Sequence, residues 1–218
     1  MRWLGLWGER KPIPSKTEPL VESSVVLPET ETFGIVTIDM PNIVYRGYND
    51  SHESYYVHWH VLLDHILPEL EHTRALYKGA YQTLRRRTLA GARWEERARL
   101  RWNESDFALV TNKRSDIDSY IVNDLWQSVA TLLENKEKAK VKLVLVSGDG
   151  GYVRTLKAIQ ETYPTRLSLD AIVYTWRNSL SAELEAFVGS ENIRYLDDIA
   201  GIVKNPAVPA YNQSDRRD

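Results

Sequence analysis

Apolar residues follow two rhythms along the chain, and the rhythms alternate. FGIVTID (33–39) is a run of mainly β-branched residues, the pattern of a buried strand. Residues 53–71, ESYYVHWHVLLDHILPELE, carry apolar positions at helical spacing: Tyr56, Trp59, Val61, Leu62, Ile66 and Leu70, with Pro68 set to kink the helix. RALYKGAY (74–81) reads as a second strand, QTLRRRTLAGA (82–92) as a basic helix, and FALVT (107–111) as a short strand. SDIDSYIVNDLWQSVATLLEN (115–135) is a long amphipathic helix with Ile117, Ile121, Leu125, Val129 and Leu132 on one face and Ser115 or Asp116 as its cap. VKLVLVS (141–147) predicts a buried strand and YVRTLKAIQETY (152–163) a helix. SLDAIVYTW (168–176) is a strand, SLSAELEAFVG (179–189) a helix, and NIRYLDDI (192–199) a last short strand and turn.

Strand and helix alternating in this way predict a doubly wound α/β domain with a mainly parallel central sheet and helices on both faces. The domain is expected over residues 33–203. It is preceded by a proline-containing extension, 1–32, and followed by a tail, 204–218, that reads as disordered. In such sheets ligands bind outside the carboxyl ends of the strands, where the strand order reverses.

Composition narrows the chemistry. The 218 residues contain no cysteine, so neither disulfides nor a thiolate metal site are available. No apolar run approaches the ~18–20 residues of a membrane span. The N-terminus lacks the long apolar core of a signal peptide, and a cytoplasmic protein is expected. The formal net charge is −2, so any nucleic-acid binding must come from a local patch. One candidate is the basic stretch 74–101, which includes Arg85, Arg86 and Arg87 and is interleaved with Trp94. Arginine contacts to phosphate together with aromatic stacking suit single-stranded RNA. The competing reading is a solvated helix face.

The acids lie where a site is expected. Asp39 ends the first strand, with Asn42 three residues on in what reads as the following loop. Asp149 stands in SGDGGY (147–152), after the buried strand. Asp116, Asp118 and Asp124 belong to the long helix or its start. Asp118 and Asp124 are six residues apart, about 600° of helical rotation, so they point roughly 120° away from each other. Carboxylates converging on one pocket repel unless a cation neutralises them. Mg²⁺ and Mn²⁺ take oxygen ligands, activate water and stabilise charge building on phosphate. Each acid also has a plain structural reading as a turn residue, helix cap or solvated helix side chain. No G-x-G-x-x-G follows the first strand, which argues against a dinucleotide fold of that kind.

The order of these pieces resembles the NYN domain, a branch of the PIN-like nuclease superfamily. The likeness spans about residues 33–200. It rests on Asp39-x-x-Asn42, the helix carrying Asp118 and Asp124, SGDGGY after a buried strand, and YTW followed by SLSAEL (179–184). The resemblance implies an RNA phosphodiesterase that uses Mg²⁺ or Mn²⁺. It assigns the acids to Asp39, Asp118, Asp124 and Asp149, with Asp116 as the alternative to Asp118, the asparagine to Asn42, and the turn to Ser147 and Gly148. The family lysine corresponds to Lys113, and Lys113 and Arg114 join the expected RNA-contacting residues. Two positions depart from the pattern: Gly151 stands where the family has a second acid, and Tyr152 where it has phenylalanine. The alternative is a domain of the same fold that binds RNA or protein without cutting. Residues 1–32 are a candidate for pairing subunits or recruiting a protein partner.

Overall fold

The computed structural model describes residues 31–45, 56–83, 107–112 and 117–204. Strand β1 (Thr32–Asp39) is buried along almost its whole length and lies at the centre of the sheet. Helix α1 (Met40–Tyr45) follows it at once. A short strand β2 (Tyr56–Val57) precedes helix α2 (Trp59–Ile66). Strands β3 (Arg74–Thr83) and β4 (Ala108–Asn112) come next, then the long helix α3 (Asp118–Asn135). Strand β5 (Ala139–Val146), helix α4 (Gly151–Thr162), strand β6 (Leu167–Thr175) and helix α5 (Ala182–Val188) follow in alternation. Strands β7 (Ile193–Tyr195) and β8 (Val203–Lys204) complete the described chain.

Six strands form one sheet in the order β4-β3-β1-β5-β6-β7, and every pairing in it is parallel. The chain steps outward from β1 to β3 and β4, returns to lay β5 against the other side of β1, then steps outward through β6 and β7. Strand order therefore reverses between β1 and β5. Strands β2 and β8 pair separately, antiparallel.

Side-chain alternation sorts each central strand into two faces. Phe33 and Ile35 of β1, with Val141, Leu143 and Leu145 of β5, pack under α3, α4 and α5. Val36 and Ile38, with Val144 and Val146, pack under α1 and α2, joined by Trp176 and Leu196. The doubly wound α/β arrangement expected from the sequence is the one observed. Trp176 is fully buried, and its indole N–H donates to the Ile43 carbonyl at 2.8 Å, joining the end of β6 to α1.

Three elements differ from their sequence expectation. The helix expected over 53–71 is shorter: α2 ends at Ile66, and Pro68 lies near the start of a 3-10 turn, Leu67–Leu70. Proline lacks the N–H and crowds the preceding turn, so the α-helix stops there. Residues 82 and 83, assigned from the sequence to a basic helix, continue β3. The remainder of that stretch, with Arg85, Arg86 and Arg87, lies outside the described residues, as do Lys113, Arg114, Ser115 and Asp116. So do residues 1–30 and the tail from 205. The loop expected after Asp39 is instead α1, with Pro41 in its first turn, a position where the missing N–H costs nothing.

Candidate functional site at the strand-order reversal

The parity that buries Phe33 and Ile35 on the α3/α4 face also points Asp39 to that face. The same parity on β5 carries Val141, Leu143 and Leu145 through to Ser147, just past the end of the strand. The two side chains meet across the reversal: Ser147 Oγ donates to Asp39 Oδ2 at 3.1 Å. Asp39 Oδ1 accepts the backbone N–H of Asn42 at 3.1 Å, the bond of an N-cap to the third helical residue. Asp39 therefore starts α1 and also bonds across the reversal of strand order.

The turn after β5 is built around the same pair of strands. Asn42 is buried, and its side-chain oxygen accepts the Gly148 N–H at 2.9 Å. Ser147 Oγ accepts the Asp149 N–H at 3.2 Å, so one hydroxyl links Asp149 to Asp39. Asp149 Oδ1 accepts the Gly151 N–H at 2.8 Å. Gly148 permits a close approach, since a β-carbon there would collide with the Ser179 carbonyl and come within 2.6 Å of Thr175 Oγ1. The Gly148 carbonyl in turn accepts the Ser181 N–H at 3.0 Å, at the cap of α5.

Tyr152, on the first turn of α4, connects two acids. Its hydroxyl lies 3.0 Å from Asp39 Oδ2 and 3.1 Å from Asp118 Oδ1. Asp118, the first residue of α3, is exposed, whereas Asp39 keeps 3 % of its surface. Burial pushes the Asp39 carboxyl up to about 6 from an ordinary 3.8. The Asn42 N–H, Tyr152 and Ser147 oppose that rise and the Asp118 charge adds to it. Burial also raises the Tyr152 phenol, and the two carboxylates reinforce it, so the phenol keeps its proton.

Asp124 is held elsewhere. It points to the β3 side of α3, as the 120° offset from Asp118 requires, and Oδ2 accepts from Tyr81 at 2.7 Å and Tyr77 at 3.0 Å. The two tyrosine hydroxyls are 2.9 Å apart. They stand four residues apart on one face of β3, and the rings meet above Gly79. A β-carbon at Gly79 would lie 2.7 Å from the Tyr77 ring and 2.8 Å from the Tyr81 ring. Burial is the main cause that pushes the Tyr77 phenol up to about 12 and raises Tyr81 further, each with help from Asp124. Sequence reasoning did not mark Tyr77 and Tyr81 as partners of an acid. The signal was present in YKGAY, where a four-residue step along a strand puts both tyrosines on one face and glycine clears the space between them.

The described residues thus bring Asp39, Asp118, Ser147, Asn42 and Tyr152 into one bonded group, with Asp149 attached through Ser147, and place Asp124 in a second. Among the described residues no three His, Asp or Glu side chains are arranged to hold an ion. Mg²⁺ and Mn²⁺ need fewer, because one or two carboxylates suffice when water and phosphate complete the shell. Two carboxylates within reach of one hydroxyl, one of them buried and hard to ionise, are the charge arrangement a hard cation relieves. The residues present fit such an ion.

No protein-family model matches the chain, and no curated protein matches it significantly. Among solved structures, a protein of unknown function from Vibrio parahaemolyticus superposes with a TM-score of 0.57 at 16% identity, covering 82% of this chain and 99% of that one. At that identity the likeness concerns the fold. Among the described residues no helix is long and apolar enough to cross a membrane.

Proposed function

We propose that this chain is a metal-dependent RNA phosphodiesterase whose site is the cleft at the carboxyl ends of β1 and β5. The observation that carries the reading is the sharing of one hydroxyl by Asp39 and Asp118 at the reversal of strand order. The NYN resemblance adds the substrate class. Asp39 and Asp118 would hold Mg²⁺ or Mn²⁺, with Asp149 beside them, and the ion when bound would supply Lewis-acid stabilisation of phosphate charge and an activated water. Asn42 acts as a positioning residue, fixing the Gly148 turn through its amide oxygen. Ser147 orients Asp39 and holds the backbone of Asp149. Arg85, Arg86 and Arg87 follow the carboxyl end of β3, and Lys113 and Arg114 stand shortly before Asp118 in the chain. Both groups are assigned to phosphate contacts from single-stranded RNA.

The test is cleavage of single-stranded RNA with Mn²⁺ and with EDTA, using the parent and Asp39→Asn purified in parallel. The parent is expected to cut only with metal and the variant not at all. Equal cutting by Asp39→Asn would sink the assignment. A second reading, RNA binding without cutting, is favoured by Asp149 Oδ1 being turned onto its own backbone at Gly151. That reading predicts RNA binding that neither metal nor EDTA alters and no cleavage by either protein.

A further inference from the structure

Asp124 faces a small pocket of about 270 Å³ between β3 and α3, lined by Leu76, Tyr77, Asp124, Gln127, Ser128 and Thr131. The four α3 residues recur at three- and four-residue steps, so they form one stripe of the helix. It is a polar stripe, set against a leucine and an aromatic ring of the sheet. Asp124 Oδ2 is occupied by the two tyrosine hydroxyls. Among the described residues Oδ1 has the Asn123 amide at 3.5 Å, at the outer limit of a hydrogen bond. The pocket therefore presents a fixed acceptor, an amide that both donates and accepts, two hydroxyls and a flat apolar surface. A phosphate is disfavoured there by the carboxylate.

We propose that this pocket is a subsite for an unpaired nucleobase carrying an exocyclic amino group, adenine, cytosine or guanine rather than uracil. The amine donates to Asp124 Oδ1, the ring lies against Tyr77 and Leu76, and Gln127 meets a second polar atom of the base edge. Uracil fits poorly because its one ring N–H lies between two carbonyl oxygens that the carboxylate repels. Tyr81 joins the pocket to the cleft. It is the register partner of Asp39 on the neighbouring strand, and its hydroxyl reaches Asp124. In this arrangement one RNA strand places a phosphate at Asp39 and a nearby base at Asp124, on either side of the buried Tyr81. This subsite rests on the reading of the Asp39 cleft as an RNA site. It takes Asp124 from the set of acids around the metal and gives it to recognition.

The experiment measures binding of fluorescent oligo(A), oligo(C) and oligo(U) RNAs in EDTA to the parent, Asp124→Asn and Ser128→Leu. The parent is expected to bind oligo(A) and oligo(C) about tenfold more tightly than oligo(U), the scale of one hydrogen bond to a charged group. Asp124→Asn keeps the shape and loses that preference. Ser128→Leu fills the pocket from a partly exposed helix position, leaves the tyrosine contacts intact and brings all three RNAs to the oligo(U) affinity. Equal binding of the three RNAs by the parent, or a preference that survives in both variants, overturns the subsite and leaves the Asp39 reading standing. Failure of every RNA to bind the parent both in EDTA and with Ca²⁺ in its place overturns both.

Discussion

Tyr152 places its hydroxyl 3.0 Å from Asp39 Oδ2, and the same oxygen stands 3.1 Å from Asp118 Oδ1. A phenol has one proton, so it can donate to only one of the two carboxylates at a time. The other contact is repulsive unless Asp39 is protonated or a cation is present. Replacing Tyr152 by phenylalanine, the residue the NYN pattern carries, removes the donor and leaves two acids facing each other. Without metal, Tyr152→Phe is expected to lose about 1–3 kcal/mol of stability at neutral pH. On adding Mn²⁺ the variant should gain more stability than the parent, because the ion then replaces the missing hydroxyl. Thermal unfolding with and without MnCl₂ checks this, and equal metal-induced shifts in the two proteins would count against it.

The raised Asp39 carboxyl fixes the direction of a pH effect. The folded state holds the proton to about 6, whereas the ordinary value is 3.8. Below the lower value the group is protonated in both states and contributes no difference. As pH rises between about 4 and 6 the unfolded chain releases the proton more readily, so this group costs the fold up to about 3 kcal/mol. Relative to Asp39→Asn, the metal-free parent should therefore become less stable across that window and level off above it. Urea unfolding of both proteins through the window measures the difference. A difference that stays flat would show that burial does not load this carboxyl.

Gly151 offers a gain rather than a loss. It is exposed at the start of α4, and a β-carbon there would lie 3.2 Å from Asp149 Oδ1. Gly151→Asp puts a second carboxylate beside Asp149, at a helix N-terminus that favours negative charge. Mn²⁺ affinity measured by calorimetry should rise about tenfold, following the added ligand charge. The rise should vanish when Asp39→Asn is combined with it. An unchanged affinity would mean that the ion does not sit near Asp149.

The sequence reveals the sheet because its strands are buried on both faces and read as continuous apolar runs, as VKLVLV and AIVY do. The same runs put Asp39 and Asp149 at the carboxyl ends of two buried strands, where a parallel sheet binds ligands, whereas the reversal between β1 and β5 is visible only in the sheet itself. Three things were not legible. Helix α1 was hidden because six residues carry little periodicity, although Asp39 and Pro41 are its start signals. The separation of Asp118 from Asp124 was half legible: the 120° offset pointed them apart, but only the position of β3 shows that two tyrosines hold the second. Tyr152 was visible as a departure from a pattern. Its role depends on α3 and α4 lying side by side, a long-range relation that no local signal encodes.

The central place of β1 also has a consequence for how the molecule comes to exist. β1 pairs with β3 on one side and with β5 on the other, and Val36 lies opposite Lys78 and Val144 in the two registers. During synthesis the second flank, Ala139–Val146, is made only long after Thr32–Asp39 has emerged. Until then one edge of a strand of apolar and β-branched residues stands open, the kind of edge that recruits other chains. The contact Ser147 makes to Asp39 spans 108 residues, so it forms only when that edge is covered. The bonded group that joins Asp39 to Ser147 therefore cannot assemble before β5 is in place.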